Sequence, residues 1–185
     1  MRELTELSEL MRNEMPAEFE VLPDIDLYMD QVLAFLSRKR VSARNGDELT
    51  SAMVNNYIKD GLVPRANGKK YTREHLVYLS LVARLKQVLS VRDMTALLRA
   101  DMPESDHGAY YERFRTMLDG ALSEMECAGT DGQALSSIAL ELALRSYVDK
   151  IACEYLIDKM TPPAEPKAKA EKNAKEKPGK DKAAK

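Results

Sequence analysis

Cysteine is scarce in this chain: Cys127 and Cys153 are the only two in 185 residues, and 26 positions separate them. That spacing excludes a disulfide framework and a short Cys-based zinc motif, and the expected location is a reducing cytoplasm. Histidine is equally sparse. His75 and His107 each lack a second ligand at i+3 or i+4, so both are read as structural or surface residues, with His107 in a loop, and no metal is expected. Long hydrophobic runs are missing too: nothing approaches the roughly 20 apolar residues of a membrane span, so no membrane partner is expected. The opening MRELTELSELMRNEM is studded with Glu and has no apolar segment of the signal-peptide kind.

Enzyme signatures are the next absence. No phosphate-binding loop, dinucleotide fingerprint or nucleophile elbow occurs. The carboxylates Glu124 and Glu126, or Asp101, Glu104 and Asp106, have no His, Ser or Lys partner in a Gly-bounded site. Neither catalysis nor a cofactor is expected. The two cysteines fall on predicted apolar faces as small core residues, and the methionines spread over the helices read as core filler.

What is present is a segregated charge. The net charge is −2, but residues 1–37 carry 2 basic and 9 acidic side chains, residues 38–92 carry 12 and 4, and residues 93–160 carry 6 and 13. A basic block between two acidic stretches points to a polyanionic partner or to internal charge pairing. The hydrophobic share of 44% is enough to build a real core in one domain or a module with an extension.

Periodicity predicts a mainly α chain. A short helix over 3–15 puts Leu4, Leu7, Met11 and Met15 on one face, closed by Pro16. Asp26 caps a helix to about Arg40, and VSARNGDE is a polar loop. A third helix runs from about Thr50 to Asp60 and ends at Gly61. The extended pieces LVPRA and KKY follow, joined by Asn67-Gly68 as the two central residues of a type I′ hairpin. Thr72 caps a helix to about Leu89 with too many apolar positions for one stripe, so neighbours should cover it on two sides. Ser90 and Asp93 open a fifth helix.

Beyond Pro103, Tyr110, Phe114, Met117, Leu118, Ala121, Leu122 and Met125 share a helical face. A second long helix, 133–160, turns Leu140, Leu144, Tyr147, Val148, Ile151 and Tyr155 inward, so the two form an α-hairpin. Residues 161–185 hold Pro, Ala, Lys and Glu with no large apolar side chain and are expected to be disordered. Four regions result: a helix and linker over 1–23, a head over 24–100, a helical hairpin over 104–160 for dimerisation or an effector, and the tail.

Helix, turn, helix, two-stranded wing and helix is the order of a winged helix-turn-helix, whose second helix lies in the major groove. Ser51, Asn55, Asn56 and Lys59 form the polar side of that helix, and an Asn amide pairs well with adenine. Arg65, Lys69 and Lys70 on the hairpin suit phosphates, Tyr71 packs inward with its hydroxyl available to a phosphate, and Arg73 follows. On NNYIKDGLVP, GKKYTREHLVYLSLVARLKQVLSVRDMTALL and DLYMDQVLAFL, residues 24–98 resemble the bacterial domain of unknown function 1836 and the DNA-binding head of the MerR family. The resemblance implies a winged helix-turn-helix head that binds double-stranded DNA as a homodimer and regulates transcription. Asn55 and Asn56 depart from the family's Arg and Tyr. A helical adaptor that keeps the fold without touching DNA is therefore the alternative.

Overall fold

The computed structural model describes residues 2–37, 48–103, 105–127 and 133–160, apart from the side chains at 2, 3 and 127. The loop VSARNGDE up to Asp47, the GTDG turn, the tail and the end of the second predicted helix at 38–40 lie outside the described residues. Seven α-helices are described: α1 Arg2–Asn13, α2 Met29–Ser37, α3 Ser51–Lys59, α4 Arg73–Leu85, α5 Val91–Asp101, α6 His107–Cys127 and α7 Leu135–Met160. One turn of 3₁₀ helix, Phe19–Val21, lies between α1 and α2.

α4 is the centre of the fold. His75, Leu76, Val77 and the run Leu79 to Ala83 are all buried, because α2 and α6 both pack on this helix. Each fully buried Leu or Val of this kind contributes about 1.5–3 kcal/mol relative to exposure. The two-sided burial expected of α4 is what forms, although the helix stops at Leu85 and a turn carries the chain to Leu89.

α3 begins where Thr50 accepts a hydrogen bond from the Met53 N–H at 3.2 Å. Val54 and Tyr57 bury one face of the helix. Gly61, at φ +72°, takes the left-handed conformation that closes the helix. The N–H groups of Leu62 and Val63 then return to the Tyr57 carbonyl at 2.9 and 3.2 Å. α5 starts at its expected cap, with Ser90 accepting from the Asp93 N–H.

Four expectations change. α2 begins three residues after Asp26, with the Tyr28 N–H bonded to Gln31 Oε1 at 2.9 Å. On α1 the buried residue is Ser8, while Leu7 and Met11 are exposed. The helix is held to α6 by polar contacts, Ser8 with Glu126 and Arg12 with Asp119 and Glu126. His107 opens α6 instead of lying in a loop.

The fourth change concerns the C-terminal helices. α6 packs on α1 and α4 and α7 packs on α5, and Arg145 of α7 meets Glu124 of α6 at 3.4 Å. α7 turns Ile138 and Ile157 inward, which leaves Leu140, Leu144, Tyr147, Val148, Ile151 and Tyr155 exposed on another side. These are the residues the periodicity turned inward. The stripe exists, but within the chain it has no cover among the described residues. A helix apolar on two sides satisfies only one of them by packing on α5.

Candidate nucleic-acid interface

The wing is smaller than its sequence pattern suggests. Among the described residues there is no β-strand, only two isolated antiparallel bridges, Asn67 with Lys70 and Leu27 with Tyr71. Leu62 and Val63, at 3% and 2% exposure, are taken up in closing α3, and Pro64 has no N–H to offer a ladder. The expected first strand is therefore absent.

The turn itself is displaced by one residue. Asn67 and Lys70 exchange backbone hydrogen bonds at 3.1 Å in each direction, which makes Gly68 and Lys69 the central pair. Gly68 has φ +65°, and no residue other than glycine has positive φ among the described residues. Glycine first with an ordinary residue second is the type II′ pattern, not type I′. After the turn Tyr71 pairs with Leu27, ahead of α2, through reciprocal bonds of 2.8 Å. The hairpin is thereby tied to the segment just before α2.

His75 fixes the other side of the hairpin. Its Nδ1 accepts from the Thr72 N–H at 3.1 Å, and its Nε2 lies 3.3 Å from the Arg65 carbonyl. Those partners assign the proton to Nε2, which donates to Arg65. Tyr71 meets the same imidazole edge-on at 5.4 Å between ring centres. One buried histidine thus holds the start of α4, the tyrosine after the turn and the backbone of Arg65.

The nine candidate contact residues divide into two groups. Ser51, Asn55, Asn56 and Lys59 on α3, with Arg65, Lys69 and Lys70 on the hairpin, are exposed. None of these seven side chains has a hydrogen bond or an ion pair among the described residues. Tyr71 is 5% exposed, and burial pushes its phenol up, as it does for Tyr57. Arg73 is drawn inward: its guanidinium lies 3.4 Å from Asp24 and 5.3 Å from the centre of the Phe19 ring. Its Nε is buried without a partner. The first seven can meet a ligand as the chain stands; Tyr71 and Arg73 hold the site's frame.

Sequence reasoning did not find Leu27, Phe19, Asp24 or the anchoring role of His75. For His75 a signal existed: Thr72 followed three residues later by a side chain able to accept from its N–H. These partners of Arg73 and Tyr71 lie 44 to 54 positions away, and local pattern carries no trace of such pairings.

A family model described as "Domain of unknown function (DUF1836)" matches residues 17–114, just over half of the chain. The chain belongs to the DUF1836 family. No curated protein and no solved structure matches it.

The matched span runs from the segment between α1 and α2 into the first turns of α6, so the DUF1836 domain includes the α4 core, the hairpin and both anchors of Arg73. It also includes Tyr110, whose phenol is pushed up to about 12 by burial and then by Asp101, against the pull of Arg113. Outside the DUF1836 span, Cys153 is half-buried, and burial with Glu154 and Asp93 nearby pushes its thiol up, away from the reactive thiolate. Among the described residues no cluster of His, Cys, Asp and Glu could hold a metal ion, and no helix is long and apolar enough to cross a membrane.

Proposed function

We propose that this DUF1836 protein is a transcription regulator that binds duplex DNA as a dimer. α3 enters the major groove, and a short MerR-like wing meets the flanking phosphates. One contrast carries the reading. Val54, Tyr57 and Tyr71 are buried, while the seven polar and basic residues interleaved with them are exposed and have no internal partner among the described residues. A solvated face that existed to neutralise the acidic flanks would pair its lysines with carboxylates. Among the described wing-side cations, Arg73 alone is paired in this way.

Phosphate contacts supply affinity and position, whereas Asn55 and Asn56 read bases. Lys59, Arg65, Lys69 and Lys70 give four cations per head and eight per dimer. Neutralising that many phosphates predicts an affinity loss of about 10³–10⁵ between 50 and 200 mM salt. Titration against labelled duplex at rising salt measures it. Replacing Lys69 and Lys70 by Ala removes four cations per dimer, so it should weaken all sequences alike and flatten the salt slope by about four. Asn55→Ala should instead relax sequence choice, by about 1–3 kcal/mol at one base pair. A flat salt response, or equal and negligible effects of both changes, contradicts the proposal.

The outward stripe on α7 favours a second reading, a helical adaptor that uses the same fold to hold a protein partner. The two readings separate on the salt titration, because an apolar stripe has no steep salt dependence.

A further inference from the structure

Beneath the strap that joins α1 to α2 lies a cavity of about 120 Å³. Leu22 of the strap, Phe35 and Leu36 of α2, and Ala17 give it apolar walls. α4 contributes Ser80 and Arg84, and α6 contributes Tyr111. Val21, 63% exposed, stands at the rim on the solvent side.

Tyr111 is the feature that calls for an occupant. Its side chain is 0% exposed, yet its hydroxyl has no hydrogen-bond partner of ordinary geometry. Burial raises its phenol, against the pull of Ser80, Arg84 and Arg115; Ser80 stands near the hydroxyl but outside ordinary hydrogen-bond geometry. An unsatisfied buried hydroxyl costs about 1–3 kcal/mol, so something that completes its bonding is favoured in this place. Arg84 donates two of its N–H groups to the Ser80 and Glu14 carbonyls, at 3.0 and 2.7 Å. That holds the floor of the cavity in position against the end of α1.

The volume decides between water and a larger guest. One water needs roughly 10–15 Å³ of such space, while an engineered apolar cavity of about 150 Å³ stays dry and takes up benzene. Apolar walls on most sides would leave a cluster of waters short of partners. We propose that this cavity binds an uncharged, single-ring aromatic molecule bearing one hydroxyl, with the ring against Leu22, Phe35 and Leu36 and the oxygen paired with Tyr111. A carboxylate is disfavoured, because its one cationic neighbour in the wall, Arg84, already donates to the Ser80 and Glu14 carbonyls, and the mostly apolar remainder would strip its hydration. Such a guest would touch the strap, α2, α4 and α6 at once and tighten the joint between the head and α6. The inference does not depend on DNA binding.

The test uses the full chain with phenol, benzene and benzoate as probes, read by thermal-unfolding midpoint and by ¹H–¹⁵N NMR titration. Phenol should bind roughly three- to tenfold tighter than benzene, the worth of one net hydrogen bond. It should shift amide signals in 17–22 and around Ser80 and Tyr111. Tyr111→Phe should bring phenol and benzene to equal affinity, and Ala17→Leu, which fills the space, should abolish both. The proposal is overturned if phenol does not bind up to solubility, if benzoate binds more tightly than phenol, or if Tyr111→Phe leaves the phenol-to-benzene ratio unchanged. The ratio in the unaltered protein keeps the test decisive even if a variant fails to fold.

Discussion

A few side chains decide whether the hairpin has a fixed shape. His75 makes contacts on both ring nitrogens while 5% exposed. His75→Ala leaves the Thr72 N–H and the Arg65 carbonyl without it and opens space beside Tyr71. Loss of such a buried network should cost about 1–3 kcal/mol, measurable as a lower urea midpoint with an unchanged m-value. His75→Gln keeps an acceptor three residues from Thr72 and should recover part of that loss. If His75→Ala matches the parent protein, the imidazole does not anchor the hairpin. At this scale the sequence was half legible. Exposure of the polar and basic residues follows from the pattern around Val54 and Tyr57. The withdrawal of Arg73 does not, because Phe19 and Asp24 reach it only through the folded chain.

Among the elements, those with their own punctuation were legible. Thr50 and Ser90 cap α3 and α5 with side-chain oxygens, and Gly61 ends α3, each a local rule with a local cause. Gly61→Ala tests the last of these. At φ +72° a Cβ is strained, and the nearest neighbour it would meet is the end of the flexible Arg99 side chain at 3.0 Å. Backbone strain should therefore dominate and cost about 1–2 kcal/mol, read by chemical denaturation. A loss below a few tenths would mean that α3 ends in another way. The wing was less legible because Asn-Gly is a hairpin signal only where two strands flank it, and Leu62 and Val63 are claimed by the core. Burial overrode strand propensity there.

For the molecule as a whole, the apolar stripe of α7 is the feature that the fold leaves unburied. Leu140, Leu144, Tyr147, Ile151 and Tyr155 recur at steps of three or four and are each about half exposed or more. They cover about 24 Å of helix at 1.5 Å per residue. Single exposed hydrophobics need no explanation, but a contiguous stripe does. Its periodicity was plain in the sequence; which neighbour it faced was not, since Ile138 and Ile157 compete for the same helix from the other side. A dimer formed through this stripe would appear in sedimentation at tens of micromolar. Leu144→Glu with Ile151→Glu should convert it to monomer while leaving the helical circular dichroism intact, because both positions are 49% exposed or more within the chain. A parent protein that sediments as a monomer would remove the two-headed geometry from the proposed function.

The pairing of Leu27 with Tyr71 bears on where this polypeptide can be divided. A fragment beginning at Leu49 would keep α3, the hairpin and α4 yet strand the N–H and C=O of Tyr71, both of which bond to Leu27 in the intact chain. Buried main-chain groups without partners are rare in folded proteins because of their cost. The smallest autonomous piece that carries the hairpin must therefore start upstream of α2.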